Sequence, residues 1–276
     1  MTFREAVKML SEAEIDSART DAAEIFRSLC KIDAARLPLM YDEDIDAPEL
    51  SEAIERRCAR EPLQYILGRA EFFGLEFEVS RDCLCPRPDT EISVETALSL
   101  LPENAKFLEL CTGSGCISVS LVKSRPDLSG VATDKFERTL AIAKKNAERH
   151  GILDRLSFVL SDLFDEPDYI DALRFDAVIS NPPYIPTRDL GTLSDEVKRE
   201  PQTALDGGED GLDFYRHIVS EYAQYLKVGG IMIFEIGYDQ GDSLEEIARR
   251  ASFECRIIKD LGKNDRVAVL TKGALC

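Results

Sequence analysis

"AKFLELCTGSGCISVSL", residues 105 to 121, is the stretch on which the fold turns. An apolar run from Phe107 to Leu110 breaks into Cys111-Thr112-Gly113-Ser114-Gly115, and a helical pattern starts directly behind it. A strand that turns on glycines into a helix is the opening of a βαβ unit, because a parallel neighbour strand needs a crossover connection. Gly113 and Gly115 let the backbone pass close to a ligand, and the helix start behind them presents unpaired amides. Downstream come further apolar runs, "SGVATD" (129–134), "LSFVLSD" (156–162), "FDAVIS" (175–180) and "GGIMIFEIG" (229–237), with helical lengths such as Phe136 to His150 between the first of them. This pattern predicts a parallel sheet covered on both faces. The last two runs, "ECRIIKD" and "RVAVLT", are separated only by "LGKND", too short for a crossover, so they are expected to pair antiparallel.

Upstream of the glycine turn the period changes. Phe3, Val7 and Leu10, then Ala22, Ala23, Phe26 and Leu29, fall at helical spacings, and Pro38, Pro48 and Pro62 cut the segment into short pieces. In "EFFGLEFEVS" (71–80), Leu75, Phe77 and Val79 alternate with Glu76 and Glu78 beside Gly74, a hairpin signal. The expected organisation is a helical domain over 1–70, a β-hairpin linker over 71–86 and an α/β domain over 87–276.

Composition narrows the partners. Lys and Arg number 34 against 52 Asp and Glu, a formal charge of -18 that repels a phosphate backbone unless a local basic patch overrides it. No direct nucleic-acid partner and no membrane partner are expected, since no apolar run approaches a bilayer's thickness. The amino terminus is charged and amphipathic, unlike a signal peptide, so the expected location is cytoplasmic. Eight cysteines without a CxxC pair read as reduced thiols, and no metal is expected. His150 and His217 both fall in helical contexts and read as structural or surface residues.

The chemistry-bearing residues collect at the carboxyl ends of the strands. Asp134 closes the second strand 19 residues beyond Gly115, where a carboxylate can accept from both hydroxyls of a ribose. A nicotinamide dinucleotide is the rival, but its fingerprint wants a third glycine where Ser118 stands. Asp162, closing the third strand, reads equally as an acceptor for an adenine amine or as a helix cap for "LFDEP". One adenosine without a pyrophosphate fits best. The fourth strand then delivers Asn181-Pro182-Pro183-Tyr184. The prolines fix their own φ and restrict their neighbours, so the Asn181 amide oxygen and the Pro182 carbonyl form a rigid row of acceptors for a planar NH2 group, with Tyr184 able to stack on it.

A strand ending in Asn-Pro-Pro-Tyr resembles the methyltransferases that act on planar amino groups with S-adenosylmethionine. The chain as a whole resembles the HemK/PrmC family of release factor glutamine methyltransferases. The likeness covers about residues 60 to 270 and includes "EPLQYILGRAEFFGLEFEVS", "PRPDTE" (86–91), Glu200-Pro201 with "ALDGGEDGLDFYRHI", "EIG" with "QG" (235–241) and "NDRV" (264–267). Glu109 and Cys111 stand where the family more usually has Asp and Gly. The resemblance implies a Rossmann-like class I methyltransferase with a small helical domain in front. It also implies transfer of a methyl from S-adenosyl-L-methionine, leaving S-adenosyl-L-homocysteine, to the N5 amide of the glutamine in the Gly-Gly-Gln motif of class 1 peptide chain release factors. "PRPDTE" favours this branch over the ribosomal-protein glutamine methyltransferases, and the acidic charge argues against a DNA or RNA amino-methyltransferase. A silent scaffold is disfavoured by intact Asn181 and Tyr184.

Together these readings assign Asn181, Pro182 and Tyr184 to catalysis and Asn181 through Tyr184 to the substrate amide. Glu109, Cys111, Thr112, Gly113, Ser114, Gly115, Asp134, Asp162, Leu163 and Asn181 are assigned to the cofactor. A monomer is expected.

Overall fold

The structure, a computed structural model, describes residues 1–33, 36–164 and 174–272. The chain forms two compact units, Met1–Arg69 with Leu193–Arg199, and Ala70–Thr192 with Glu200–Cys276.

The first unit is helical. α1 (Phe3–Glu12) starts with a capping box: the Thr2 hydroxyl oxygen accepts from the Glu5 amide at 3.1 Å, and the Glu5 carboxylate accepts from the Thr2 amide at 2.8 Å. α2 (Ala18–Cys30) ends on Lys31 in the left-handed region. Pro48 opens α3 (Pro48–Cys58) at a position where its missing N–H costs nothing, and Pro62 caps the short α4 (Leu63–Leu67). Phe3, Leu10, Ala22 and Phe26 meet in one core, as their spacing predicts, whereas Leu29 stays on the outside near the end of α2. Buried Arg57 donates to Asp21 at 2.7 Å, to the Glu61 carbonyl at 3.1 Å and to Glu196 at 2.7 Å. Its last partner lies on Leu193–Arg199, a return of the chain that no sequence period announces.

The second unit opens with a hairpin, β1 (Arg69–Phe72) and β2 (Leu75–Glu78), turned on Phe73 and Gly74, both at positive φ. After α5 (Glu91–Leu100) the chain alternates through β3 (Lys106–Leu110), α6 (Cys116–Ser124), β4 (Ser129–Asp134), α7 (Glu137–Arg149), β5 (Leu156–Leu160) and β6 (Phe175–Ser180). It finishes through α8 (Asp213–Glu221), β7 (Leu226–Glu235), α9 (Gly241–Arg250), β8 (Phe253–Lys259) and β9 (Asp265–Lys272). The sheet order is β5-β4-β3-β6-β7-β9-β8. The first five strands are parallel, β9 runs antiparallel between β7 and β8, and the last two strands pair as the short "LGKND" connection requires.

Strand alternation sorts the core by face. Phe107, Ala177, Ile179, Ile233 and Val267 point to α5, α6 and the hairpin, while Leu108, Leu110, Val178, Met232 and Phe234 point to α8 and α9. After β3 the chain winds outward through β4 and β5, then restarts on the other side of β3 with β6. This reversal opens a crevice at the carboxyl ends of β3 and β6, and both the glycine turn and Asn181 emerge there.

Candidate active site

The glycine turn is held from beneath. Glu109 is 1% exposed, and its Oε2 accepts from the Thr112 hydroxyl at 2.6 Å and from both the amide and the hydroxyl of Ser118. Desolvation pushes its carboxyl up to about 7, against the pull of those hydrogen bonds. Cys111 adopts φ 58°, a left-handed conformation that a side chain enters at a cost, and burial pushes its thiol well up. The Thr112 amide donates to the Thr133 carbonyl at 2.9 Å, tying the turn to the end of β4. At Gly115, φ is 78° and a Cβ would sit 3.1 Å from Ala143 Cβ, so only glycine lets α6 start this close to α7.

Asp134 faces the turn. Its Oδ2 accepts from the Gly113 amide at 3.0 Å and its Oδ1 from the Phe136 amide at 3.2 Å, and burial raises its carboxyl above the usual range. The Lys135 amide also favours its charged form, and a carboxylate with about four acceptor sites still has room for a further donor. Asp162 sits differently: Lys135 pairs with it at 2.5 Å and holds its carboxyl below the ordinary value, and it also accepts from the Phe164 amide. Of "LFDEP" (163–167), the segment that it was expected to cap, residues 165–167 lie outside the described residues. The Leu163 carbonyl accepts from His217 Nε2 at 2.7 Å and from the Tyr222 hydroxyl at 3.2 Å. His150 Nε2 likewise engages the Glu76 carbonyl at 2.8 Å, so both imidazoles are committed to main chain.

On the other side of the crevice, Asn181 Nδ2 donates to the Thr90 hydroxyl at 3.3 Å, which leaves the Oδ1 end of the amide for the cavity. Thr90 belongs to "PRPDTE", and that segment is bound at several points. Asp89 pairs with Arg266 at 3.1 Å, Glu91 accepts from the Phe73 amide at 2.7 Å, and Arg87 pairs with buried Glu200. Glu200 also accepts from the Cys85 amide at 3.1 Å. The glycine-rich "ALDGGEDG" loop lies along the tetrapeptide: the Ile185 amide donates to the Leu205 carbonyl and the Ile185 carbonyl accepts from the Gly207 amide, both at 2.9 Å, bridging Ile185 to Asp206. A Cβ on Gly207 would come within 2.7 Å of Tyr184 Cα and 2.8 Å of the Pro183 oxygen.

These two halves line one cavity of about 400 Å³. Every cofactor candidate lines it except Gly115, whose role is the start of α6. Of the tetrapeptide, Asn181 and Pro183 reach it. Pro182 is buried, and Tyr184 packs against the core under α8, with its carbonyl accepting from Gln240 at 3.0 Å. Sequence reasoning passed over Thr90 and Asn146. Asn146, fully buried on α7, accepts from the Glu78 amide and donates to the carbonyls of Glu78 and Ser114, so one side chain joins the hairpin to the glycine turn. An amide side chain on the otherwise largely apolar buried face of α7, which carries only Thr139 as a second polar group, was the signal available for it. Among the described residues no group of three or more His, Cys, Asp or Glu side chains could hold a metal ion.

A family model described as PrmC N-terminal domain matches residues 2–68, and one described as methyltransferase small domain matches 91–209. A release factor glutamine methyltransferase of Geobacter sulfurreducens is 41% identical over 94% of this chain and 91% of its own. That of Aquifex aeolicus is 37% identical over 95% and 94%. The chain belongs to the release factor glutamine methyltransferase family. A methyltransferase structure from Pyrococcus furiosus, 19% identical, superposes with a TM-score of 0.56 over 74% of this chain and 91% of that one, which extends the likeness of fold beyond the family. Membership in a methyltransferase family implies use of S-adenosylmethionine. The residues here fit it: Asp134 retains acceptor capacity for a ribose, and Gly113 has no atom within 4 Å of where a Cβ would stand.

Proposed function

We propose that this protein methylates the N5 amide nitrogen of the glutamine in the Gly-Gly-Gln motif of class 1 peptide chain release factors, using S-adenosylmethionine. The observation that carries the reading is that Asn181 and Asp134 line the same cavity, with the amide nitrogen of Asn181 turned away to Thr90. In this reading Asp134 holds the ribose, and the Cys111–Gly115 turn, with Glu109 beneath it, shapes the floor under the methionine portion. Asp162 and Leu163 border the adenine. Bound there, the cofactor supplies an electrophilic methyl on a sulfonium.

A carboxamide nitrogen is a weak nucleophile because its lone pair is delocalised. Asn181 Oδ1 accepts one of its hydrogens from within the cavity, and the Pro182 carbonyl, which does not line the cavity itself, is assigned the other as the glutamine side chain enters; alignment of this kind is worth roughly 7–11 kcal/mol in favourable cases. As positive charge grows on that nitrogen, both hydrogen bonds strengthen, which is stabilisation specific to the transition state. Pro183 stiffens the row, and Tyr184, packed against the core beneath α8, anchors its far end rather than stacking on the amide. No general base is needed before transfer.

The helical unit is proposed to dock the body of the release factor, with the enzyme a cytoplasmic monomer. The -18 charge supports a protein partner rather than a nucleic acid. The deciding experiment is mass spectrometry of release factor incubated with enzyme and donor: one added methyl on the Gly-Gly-Gln glutamine is expected, and a methyl on ribosomal protein or nucleic acid instead would overturn the reading. For docking, hydrogen exchange of the full chain with release factor added should show new protection within residues 1–69; unchanged exchange there refutes it.

A further inference from the structure

Glu235 is a buried acid that the proposed mechanism leaves unused. It ends β7 and is 2% exposed. In the parallel register Ser180 faces Phe234, so the next residues along, Asn181 and Glu235, lie side by side at the sheet edge. Its main-chain carbonyl accepts from the Tyr215 hydroxyl at 2.8 Å, which anchors the backbone, but side-chain Oε2 is buried without a hydrogen-bond partner. A buried, unsatisfied carboxyl oxygen in an otherwise well-paired edge calls for a reason.

The surroundings supply one. The groups that favour its charged form are the Thr90 hydroxyl first, then the Arg266 guanidinium, then the Asn181 amide. Thr90 has one hydrogen to give, and its oxygen already accepts from Asn181 Nδ2. Asn181 thus donates to Thr90, Glu235 lies beside Asn181 at the sheet edge with Oε2 still unpartnered, and the one hydrogen of Thr90 is left to complete a directional chain to that carboxylate. A carboxylate only accepts, so hydrogens must point toward it from both neighbours. If Glu235 gained a proton, or were an amide, it could donate, and the direction of the chain would no longer be dictated.

We infer that Glu235 is the positioning residue for Asn181: its carboxylate holds the Thr90 hydroxyl and the Asn181 N–H end, and so keeps the Asn181 carbonyl oxygen toward the cavity. Burial pushes this carboxyl up to about 7, so the chain is directional above neutral pH and loses its direction below. The groups facing Glu235 are Asp89 and Thr90 ahead of α5, Cys116 on α6, Asn181 and Tyr184 after β6, Tyr215 on α8 and Arg266 on β9. Burial drives the two tyrosines and the cysteine upward, and the guanidinium stays charged, so none of these four titrates near neutrality.

The inference rests on the proposed function for its kinetic arm but has a second arm that needs no substrate. In enzyme labelled with 15N at asparagine, the Asn181 side-chain resonance, assigned by its loss in Asn181→Ala, is expected to shift with pH around a midpoint near 7 and to stop shifting in Glu235→Gln. A resonance insensitive to pH, or one that titrates equally in Glu235→Gln, overturns the inference. Kinetically, Glu235→Gln should lower kcat about 10-fold or more, as for loss of an oriented polar group. It should also abolish the rise of kcat with pH through neutrality, leaving S-adenosylhomocysteine affinity within about 3-fold. Glu235→Asp, still an acceptor only, should keep that rise. Wild-type turnover in Glu235→Gln overturns the inference. Should Glu235→Gln not fold, Thr90→Val breaks the same chain and should show the same kcat loss; normal turnover there overturns it equally. Absence of methyl transfer to release factor by the wild type, with the Asn181 titration intact, would sink the proposed function and leave this assignment standing.

Discussion

Asn181 carries the greatest share of the argument with the fewest atoms. Its side chain spans from a protein partner, Thr90, to the cavity, and only one end can accept from a substrate NH2. Asn181→Ala should therefore lower kcat by on the order of 100-fold or more, while cofactor affinity measured by calorimetry stays within a few-fold. Near-normal turnover would remove it from the acceptor role. Asp134 makes the complementary case. It holds the Gly113 and Phe136 amides and retains acceptor capacity for a further donor. Hydrogen bonds to a charged group contribute about 1.5–3 kcal/mol, so Asp134→Ala should weaken S-adenosylhomocysteine binding by roughly 10- to 100-fold. Unchanged affinity would move the ribose elsewhere.

At the scale of elements, the tetrapeptide is placed by what lies beside it as much as by the strand that delivers it. Gly207 runs so close to Pro183 and Tyr184 that an added methyl would meet backbone at 2.7 and 2.8 Å, and backbone cannot rotate away. Gly207→Ala should cost about 1–3 kcal/mol as overpacking, lowering Tm by roughly 2–4 °C per kcal/mol in a chain of this size. Because a displacement of about 1 Å at the reacting centre can cost 100-fold in rate, kcat should fall far more than stability does. A variant with parental kcat would show that the loop does not set the row's position. The family's "PRPDTE" and "ALDGGEDG" segments thereby acquire a physical meaning: one binds the back of Asn181, the other the flank of its prolines.

The whole molecule carries its buried acids as a pH-dependent property. Glu109 and Glu235 are each raised from 4.5 to about 7 by burial. Between those values the folded chain binds more protons than the unfolded one, so their contribution is fully present below about 4.5 and is lost as pH rises through about 7. Falling self-repulsion in an acidic chain acts in the same direction on the acid side. Carboxylates held below their ordinary values, such as Asp127 and Asp162, exert their opposite effect only at lower pH. Urea denaturation should therefore show stability decreasing by a few kcal/mol between pH 4.5 and 8. Glu109→Gln, which keeps the shape and removes the titration, should flatten the curve. Stability that rises over that interval would contradict the assignment of both groups.

What could be read from residues 105–121 onward was whatever period and spacing encode. The βαβ alternation, the hairpin turned at Phe73-Gly74, the antiparallel pairing of the last two strands and the carboxyl-edge location of Asp134 and Asn181 all follow from local pattern and connection length. The sheet order does not, because strand neighbours such as β3 and β6 are set by long-range packing of two apolar faces, not by any spacing between residues 110 and 175. Nor did the sequence reveal which end of the Asn181 amide faces outward, that Asn146 joins the hairpin to the glycine turn, that Leu193–Arg199 returns to the helical unit, or that Tyr184 packs under α8. Each of these depends on which partner a side chain meets across dozens of residues. The sequence alone therefore determined the kinds of element and the kind of chemistry, since both are written in local composition. Tertiary structure decided the direction of the hydrogen bonds at the site, because direction is a property of neighbours in space.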